Sequence, residues 1–164
     1  MTLFRPALWP LAAAVLSPLL LAGCSTPAPA PSAAAAPPPL ASLPPAFGPD
    51  AIVGRWGYTA YHNEADRTRI ESAAKSACNQ PYVITRGPTG GVMMYLADQS
   101  KPEELRLKGG PGNKTYIGPE GPPGDTRDRE VLTFDGRVLV LRWLDPEVAG
   151  RYGTGVFVRC SARA

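Results

Sequence analysis

Residues 129–144 read REVLTFDGRVLVLRWL, and this stretch decides the fold class of the chain. Two apolar runs flank Asp135-Gly136, a dipeptide that strongly favours a two-residue hairpin turn. A turn centred there sets Leu132 opposite Leu139. Because strand side chains alternate between two faces, the hairpin is expected to present one apolar core face, formed by Leu132, Phe134, Leu139, Leu141 and Trp143.

The rest of the chain repeats this pattern of short strands separated by turn residues. One segment, residues 63–77, instead has the periodicity of an amphipathic helix, with Asn63 placed to cap it. The predicted strands cover residues 52–61, 82–85, 92–96, 104–108, 114–117, 130–134, 137–144 and 153–160. We therefore predict a mainly β fold, a small antiparallel meander barrel or curled sheet of about eight strands with one early helix.

The N-terminal region carries a processing motif. An apolar run ends in Leu21-Ala22-Gly23-Cys24 and is followed at once by polar and Pro-rich sequence. This arrangement resembles the lipobox of bacterial lipoprotein precursors, which implies cleavage before Cys24, a diacylglycerol on its sulfur and acylation of the new N-terminus. A plain secretory signal is the alternative. The resemblance divides the chain into a signal peptide at 1–23, a lipidated cysteine with a Pro/Ala-rich tether at 24–49, and a β-rich domain at 50–164.

The cysteine count supports a second expectation. The chain has three cysteines, and an odd number in an exported protein needs an explanation. Lipidation of Cys24 supplies one, and leaves Cys78 and Cys160 as an even pair in a compartment where disulfides persist. We predict that these two are bonded and staple the helix; two free buried thiols are the alternative.

Composition indicates a location and excludes one class of partner. The tether is rich in Pro and carries no charged residue, so we expect an extended spacer; a strip for a Pro-recognising partner is the alternative. Ser25 follows the cysteine, and the absence of Asp there favours the outer membrane by analogy with lipoproteins. The net charge of +3 is well mixed along the chain, so no nucleic acid binding is expected. The predicted location is the bacterial cell envelope, held to the membrane through Cys24.

The sequence contains no evident catalytic constellation. His62 is the only histidine, and no His or Cys cluster has metal-ligand spacing. Asp125, Asp128 and Glu130 interleave with arginines, which predicts mutual salt bridges in a solvated loop. We therefore expect a protein that is not an enzyme and uses no metal or cofactor. The loop at 118–129 is long enough to be either functional or disordered.

Two resemblances suggest functions. The eight-strand, one-disulfide pattern of residues 53–160 resembles the inhibitor barrels of bacterial alkaline proteases. It implies a non-enzymatic domain that binds another envelope protein or has a structural role. Gly54-Arg55-Trp56 resembles the opening signature of lipocalin-like barrels, in which the Trp packs the barrel floor, and it implies the alternative, a carrier of a small apolar ligand or lipid. A cavity in such a barrel would be lined by Trp56, Tyr58, Met93, Tyr95 and Trp143.

Overall fold

The computed structural model describes residues 43–161, which contain a closed barrel of eight antiparallel strands. Each strand pairs with the next along the chain, and the last strand returns to pair with the first. This confirms the predicted mainly β fold and selects the barrel over the curled sheet. The strands are β1 Gly54–Tyr61, β2 Tyr82–Arg86, β3 Val92–Met94, β4 Glu103–Gly110, β5 Lys114–Gly118, β6 Arg129–Phe134, β7 Val138–Trp143 and β8 Thr154–Arg159.

One end of the barrel, where β1 begins and β8 ends, is sealed by Trp56; we call it the closed end. Trp56 has no exposed surface, and its indole Nε1 donates a hydrogen bond to the carbonyl oxygen of Ile52 at 2.9 Å. The Arg159 guanidinium lies 4.2 Å from the centroid of the Trp56 ring. The same guanidinium donates to the carbonyl oxygens of Ala51, Val53 and Gly136. Trp56 is therefore buried at the closed end of the barrel.

Helix α1, Arg67–Ser76, packs on the outside of β1 and β8. A 3-10 turn precedes it, and the Asn63 side chain accepts a hydrogen bond from the Ala65 backbone N–H at 3.0 Å, as expected of a cap. Gly57 of β1 permits the close approach, because a Cβ there would lie 1.8 Å from the carbonyl oxygen of Ala74. Ala74 is fully buried, so small residues on both surfaces let the helix lie directly on the barrel wall.

The predicted disulfide joins this helix to the end of the last strand. Cys78 lies in a 3-10 turn after α1, and Cys160 follows β8. Their sulfur atoms are bonded at 2.05 Å across a sequence separation of 82 residues. The bond therefore fastens α1 over the seam at which the barrel closes.

The turn between β6 and β7 differs from the prediction. Phe134 pairs with Leu139, so the two turn residues are Gly136 and Arg137 rather than Asp135 and Gly136. Gly136 adopts a φ of 86°, which a residue without a Cβ tolerates at no steric cost. The Asp135 carboxylate accepts hydrogen bonds from the backbone N–H groups of Arg137 at 2.8 Å and Val138 at 2.7 Å, and these bonds stabilise the shifted turn.

A β-bulge in β6 changes which hairpin residues face the core. The pairing shifts between Val131 and Thr133, and Leu132 turns outward with 38% of its surface exposed. Val131 and Phe134 both pack against the core. The prediction that Leu132 belongs to the core is therefore wrong, because the extra residue lets side chains three positions apart share the inner face.

A second helix, α2 Pro146–Tyr152, occupies a segment predicted to be a loop. The Asp145 side chain accepts hydrogen bonds from the first-turn N–H groups of Glu147 and Val148, and Pro146 occupies the first helical position. Both features favour helix initiation. Among residues 43–161, no helix has the length and apolar character needed to cross a membrane.

Residues 43–49, which the sequence assigns to the tether, contact the barrel. Leu43 forms a β-bridge with Gly109 of β4. The ring of Phe47 lies 4.3 Å from that of Phe134 at the closed end, measured between centroids. The described chain therefore pairs with the edge of β4 at Gly109 and reaches the closed end before β1 begins.

Candidate functional site

The opposite end of the barrel, where β6 begins and β7 ends, carries a cluster of aromatic rings; we call it the mouth. The ring of Tyr82 is central, with centroid distances of 5.8 Å to Tyr58, 5.7 Å to Tyr95 and 5.3 Å to Phe157. Phe157 is buried, whereas Tyr58 and Tyr95 are 38% and 41% exposed. The rings form a layer with one side on the core and the other in solvent.

A loop and a helix end complete the mouth on its other side. Trp143 and Tyr152 have ring centroids 6.4 Å apart. Asp98 accepts hydrogen bonds from Arg151 at 3.0 and 2.8 Å and from the Tyr152 hydroxyl. The bonds from Arg151 and then Tyr152 hold the pKa of Asp98 below its ordinary value. The loop at 95–102 is therefore fastened to α2 by a charged carboxylate.

A groove of about 250 Å³ opens beside this layer. Leu96, Trp143 and Val148 supply its apolar wall, and Glu103 and Arg127 also line it. The mouth thus combines exposed rings with a recess, a combination common at binding surfaces.

Arg129, the first residue of β6, lies beneath the aromatic layer and is 4% exposed. Its guanidinium is 4.7 Å from the centroid of Trp143, the residue opposite it on β7. Within the described part of the chain, its Nε and Nη2 atoms make no hydrogen bond. Burial lowers the pKa of Arg129. Burial also raises the pKa values of Tyr58 and Tyr82, and the Arg129 charge partly offsets this rise.

Asp128, which precedes Arg129 in the sequence, pairs with Lys108 rather than with Arg129. Asp128 is fully buried and accepts hydrogen bonds from Lys108 Nζ at 2.6 Å and from the Gly124 backbone N–H at 2.9 Å. Lys108 also donates to the carbonyl oxygens of Pro119 and Pro122. The prediction of a solvated loop is therefore wrong for Asp128, because this buried ion pair folds the 118–128 loop onto the barrel wall.

Glu130, which follows Arg129 in the sequence, also pairs with other cations. Glu130 accepts hydrogen bonds from Lys114 at 2.9 Å and from Arg142 at 2.6 Å. Burial alone would raise the pKa of Glu130, but the bonds from these two cations outweigh it and hold the pKa below its ordinary value. Alternation along β6 thus directs Glu130 outward, and Arg129 lacks a carboxylate partner among its sequence neighbours.

The residues predicted to line a cavity do not share one. Trp56 seals the closed end. Met93 lies on the outer face of β3, because its neighbours Val92 and Met94 are both fully buried and strand side chains alternate. The remaining three lie at the mouth: Tyr58, Tyr95 and Trp143.

Two functional candidates at the mouth were not predicted as site residues. Arg129 stands two positions before Val131 on the inner face of β6, so strand alternation is the signal that could have identified it. Asp98 lies in an irregular loop, and its pairing with α2 has no signal in the local sequence.

Cys24, the predicted lipidation site, and the chain up to residue 42 lie outside the described residues. Within residues 43–161, no group of three or more His, Cys, Asp or Glu side chains is placed to hold a metal ion. Comparisons with protein-family models, curated proteins and solved structures find no match for this chain.

Proposed function

We propose that this protein is a lipid-anchored envelope protein whose barrel is a non-enzymatic interaction module that docks another envelope protein at its mouth. The observation that carries the proposal is the aromatic layer. Tyr58, Tyr95 and Tyr152 are 38–41% exposed at one end of an otherwise sealed barrel. Tyrosine supplies large contact area and a hydrogen-bonding tip at low entropic cost, which is why it is enriched in protein interfaces.

Docking has more support than transport of an enclosed ligand. Side chains of the barrel fill the space that a carried molecule would need: Trp56 and Met94 have no exposed surface and belong to one contiguous core with Phe157. An apolar ligand would have to displace this packing. A partner at the mouth leaves the packing of Trp56 and Met94 in place.

The position of the tether also favours this function. Leu43 pairs with the end of β4 and Phe47 contacts Phe134 at the closed end, so the tether joins the barrel away from the aromatic layer. The segment between Cys24 and Leu43, if extended as polyproline II, would reach about 55 Å. Such a spacer would give the mouth access to partners beyond the membrane surface.

Photo-cross-linking in the source cells tests the proposal. A photoreactive amino acid replaces Tyr95 at the mouth or, as a control, Leu132 on the outer wall; the two side chains are 41% and 38% exposed. We expect a discrete cross-linked protein from Tyr95 and none from Leu132. Identical products from both positions, or none from Tyr95, would refute docking at the mouth.

The resemblance to protease-inhibitor barrels gives the partner class to examine first. If the cross-linked protein is a protease, the full chain should inhibit it, and replacing Tyr95 with Ala should weaken inhibition. Replacing Leu132 with Ala should leave inhibition unchanged.

A further inference from the structure

Arg129 presents an unused hydrogen-bonding edge at the mouth. The two nitrogens without a partner in residues 43–161 are Nε and Nη2. These atoms form one side of the planar guanidinium, and their N–H bonds run parallel. This is the edge that binds a carboxylate through two hydrogen bonds. Both unpartnered atoms are buried, so the cation lies in a medium where an opposite charge would be held strongly.

Among residues 43–161, no carboxylate is bonded to this edge. Asp128 is bonded to Lys108 at 2.6 Å, and Glu130 is bonded to Lys114 and Arg142. The aromatic face of Trp143 offers the Arg129 charge a cation–π contact, but a ring has no acceptor for the two N–H groups. A buried arginine left in this state costs stability, and such costs are typical of sites kept for binding.

The Tyr82 hydroxyl is a second donor close to Arg129, whose charge partly offsets the rise in the Tyr82 pKa that burial causes. The Tyr82 hydroxyl accepts a hydrogen bond from the Tyr95 backbone N–H at 2.8 Å, and within the described residues it donates none. A phenol is protonated at neutral pH, so the hydroxyl retains a proton to donate. Arg129 and Tyr82 together therefore offer three N–H or O–H donors beneath rings that suit an apolar body.

We propose that the mouth is a binding site for a carboxylate on an apolar or aromatic body, held by the Nε and Nη2 edge of Arg129 and by the Tyr82 hydroxyl. The inference rests on the proposed function, since the docked protein supplies the carboxylate from a side chain or its C-terminus. The ring layer of Tyr58 and Tyr95 opens to admit it. A single planar fork favours a carboxylate over a neutral amide of the same shape.

The site is tested on the full chain with phenylacetate as the probe and phenylacetamide as its uncharged counterpart. The readout is the Nε–H resonance of Arg129 in an NMR titration of the protein labelled at arginine. We expect phenylacetate, but not phenylacetamide, to shift this resonance. Equal shifts with both compounds, or no shift with phenylacetate, would overturn the site.

Two variants test whether binding needs the Nε and Nη2 edge of Arg129 or only its positive charge. Arg129→Lys keeps the charge but loses the fork, and Arg129→Gln loses both; tyrosine resonances at the mouth report binding in each. Phenylacetate binding should weaken about tenfold or more in both variants. Arg55→Gln, on the exposed outer face of β1, should bind like the parent. Equal weakening in the Arg55 variant would contradict the assignment.

Cross-linking from Tyr95 distinguishes this inference from the proposed function. Loss of the cross-linked partner in Arg129→Gln, with retention in Arg55→Gln, supports a carboxylate delivered by a protein. Retention of the partner in Arg129→Gln keeps the docking function and overturns the protein-borne carboxylate. Phenylacetate binding in a protein that yields no cross-linked partner refutes docking and identifies a free organic acid as the source.

Discussion

Replacing Lys108 with Met tests the buried ion pair that holds the 118–128 loop. Lys108 is 8% exposed and Asp128 is 0% exposed. The substitution keeps the length and apolar stem of the side chain but removes three hydrogen bonds, one to Asp128 and two to loop carbonyl oxygens. Asp128 then keeps the hydrogen bond from Gly124 and no neutralising cation.

The expected loss is about 3–5 kcal/mol, the usual cost of leaving one partner of a buried pair uncompensated. With a slope of about 2 kcal/mol per molar urea, the unfolding midpoint should fall by about 2 M. Equilibrium urea unfolding measures this shift. Lys101→Met, at an exposed position, is the control and should change stability by less than about 0.5 kcal/mol.

The double variant Lys108→Met with Asp128→Asn completes the test. Removing the second charge should recover part of the loss, because the asparagine no longer places an ion in the interior. The reasoning is refuted if Lys108→Met and Lys101→Met unfold at the same urea concentration, or if the double variant is as unstable as the sum of the two single ones.

Three further predictions concern the seam and the wall. Cys78→Ala with Cys160→Ala should cost about 4.5 kcal/mol in urea unfolding, because the bond closes a separation of 82 residues; a loss below about 1 kcal/mol contradicts this. Gly57→Ala should cost about 1–3 kcal/mol, since its Cβ would meet a helix carbonyl at 1.8 Å, whereas Gly150→Ala meets open space and should not destabilise. Because the folded protein lowers the pKa of Glu130 from its ordinary value of 4.5, the Glu130 charge stabilises the fold fully at pH values above 4.5, and this stability is lost as the pH falls through the lowered pKa. The free energy of unfolding of Glu130→Gln, measured against pH, should lack this loss.

The strand order could be predicted because its signals are local, and the disulfide could be predicted from the cysteine count. Alternating apolar residues between turn residues identify each strand, and a meander needs only neighbouring strands to pair. Asn63 caps the helix through its own side chain. The pairing of Cys78 with Cys160 was predicted from the cysteine count and from the expectation of export, without any knowledge of tertiary packing.

The hairpin register could not be predicted from its turn alone. Asp135-Gly136 and Gly136-Arg137 both place a glycine in a two-residue turn, so local chemistry allows either. The choice depends on packing across the sheet, where the bulge lets Val131 and Phe134 reach the core together.

The buried charges were missed for a related reason. In a sequence, Lys108, Asp128 and Arg129 have the polarity of solvent-facing strand and loop residues. Their burial depends on a loop that covers the outer wall and on rings that cover the mouth. The loop folds back onto β4, and the rings come from strands far apart in the chain; an argument from local pattern contains neither contact.

The pairing of β1 with β8 has a consequence for the order of folding. β1 ends at residue 61 and β8 occupies residues 154–159, so the first strand lacks one neighbour until nearly the whole chain is available. Hairpins between neighbouring strands can form earlier because they close short loops. The Cys78–Cys160 bond needs the last residue of the barrel, so during refolding its formation reports that the seam has closed.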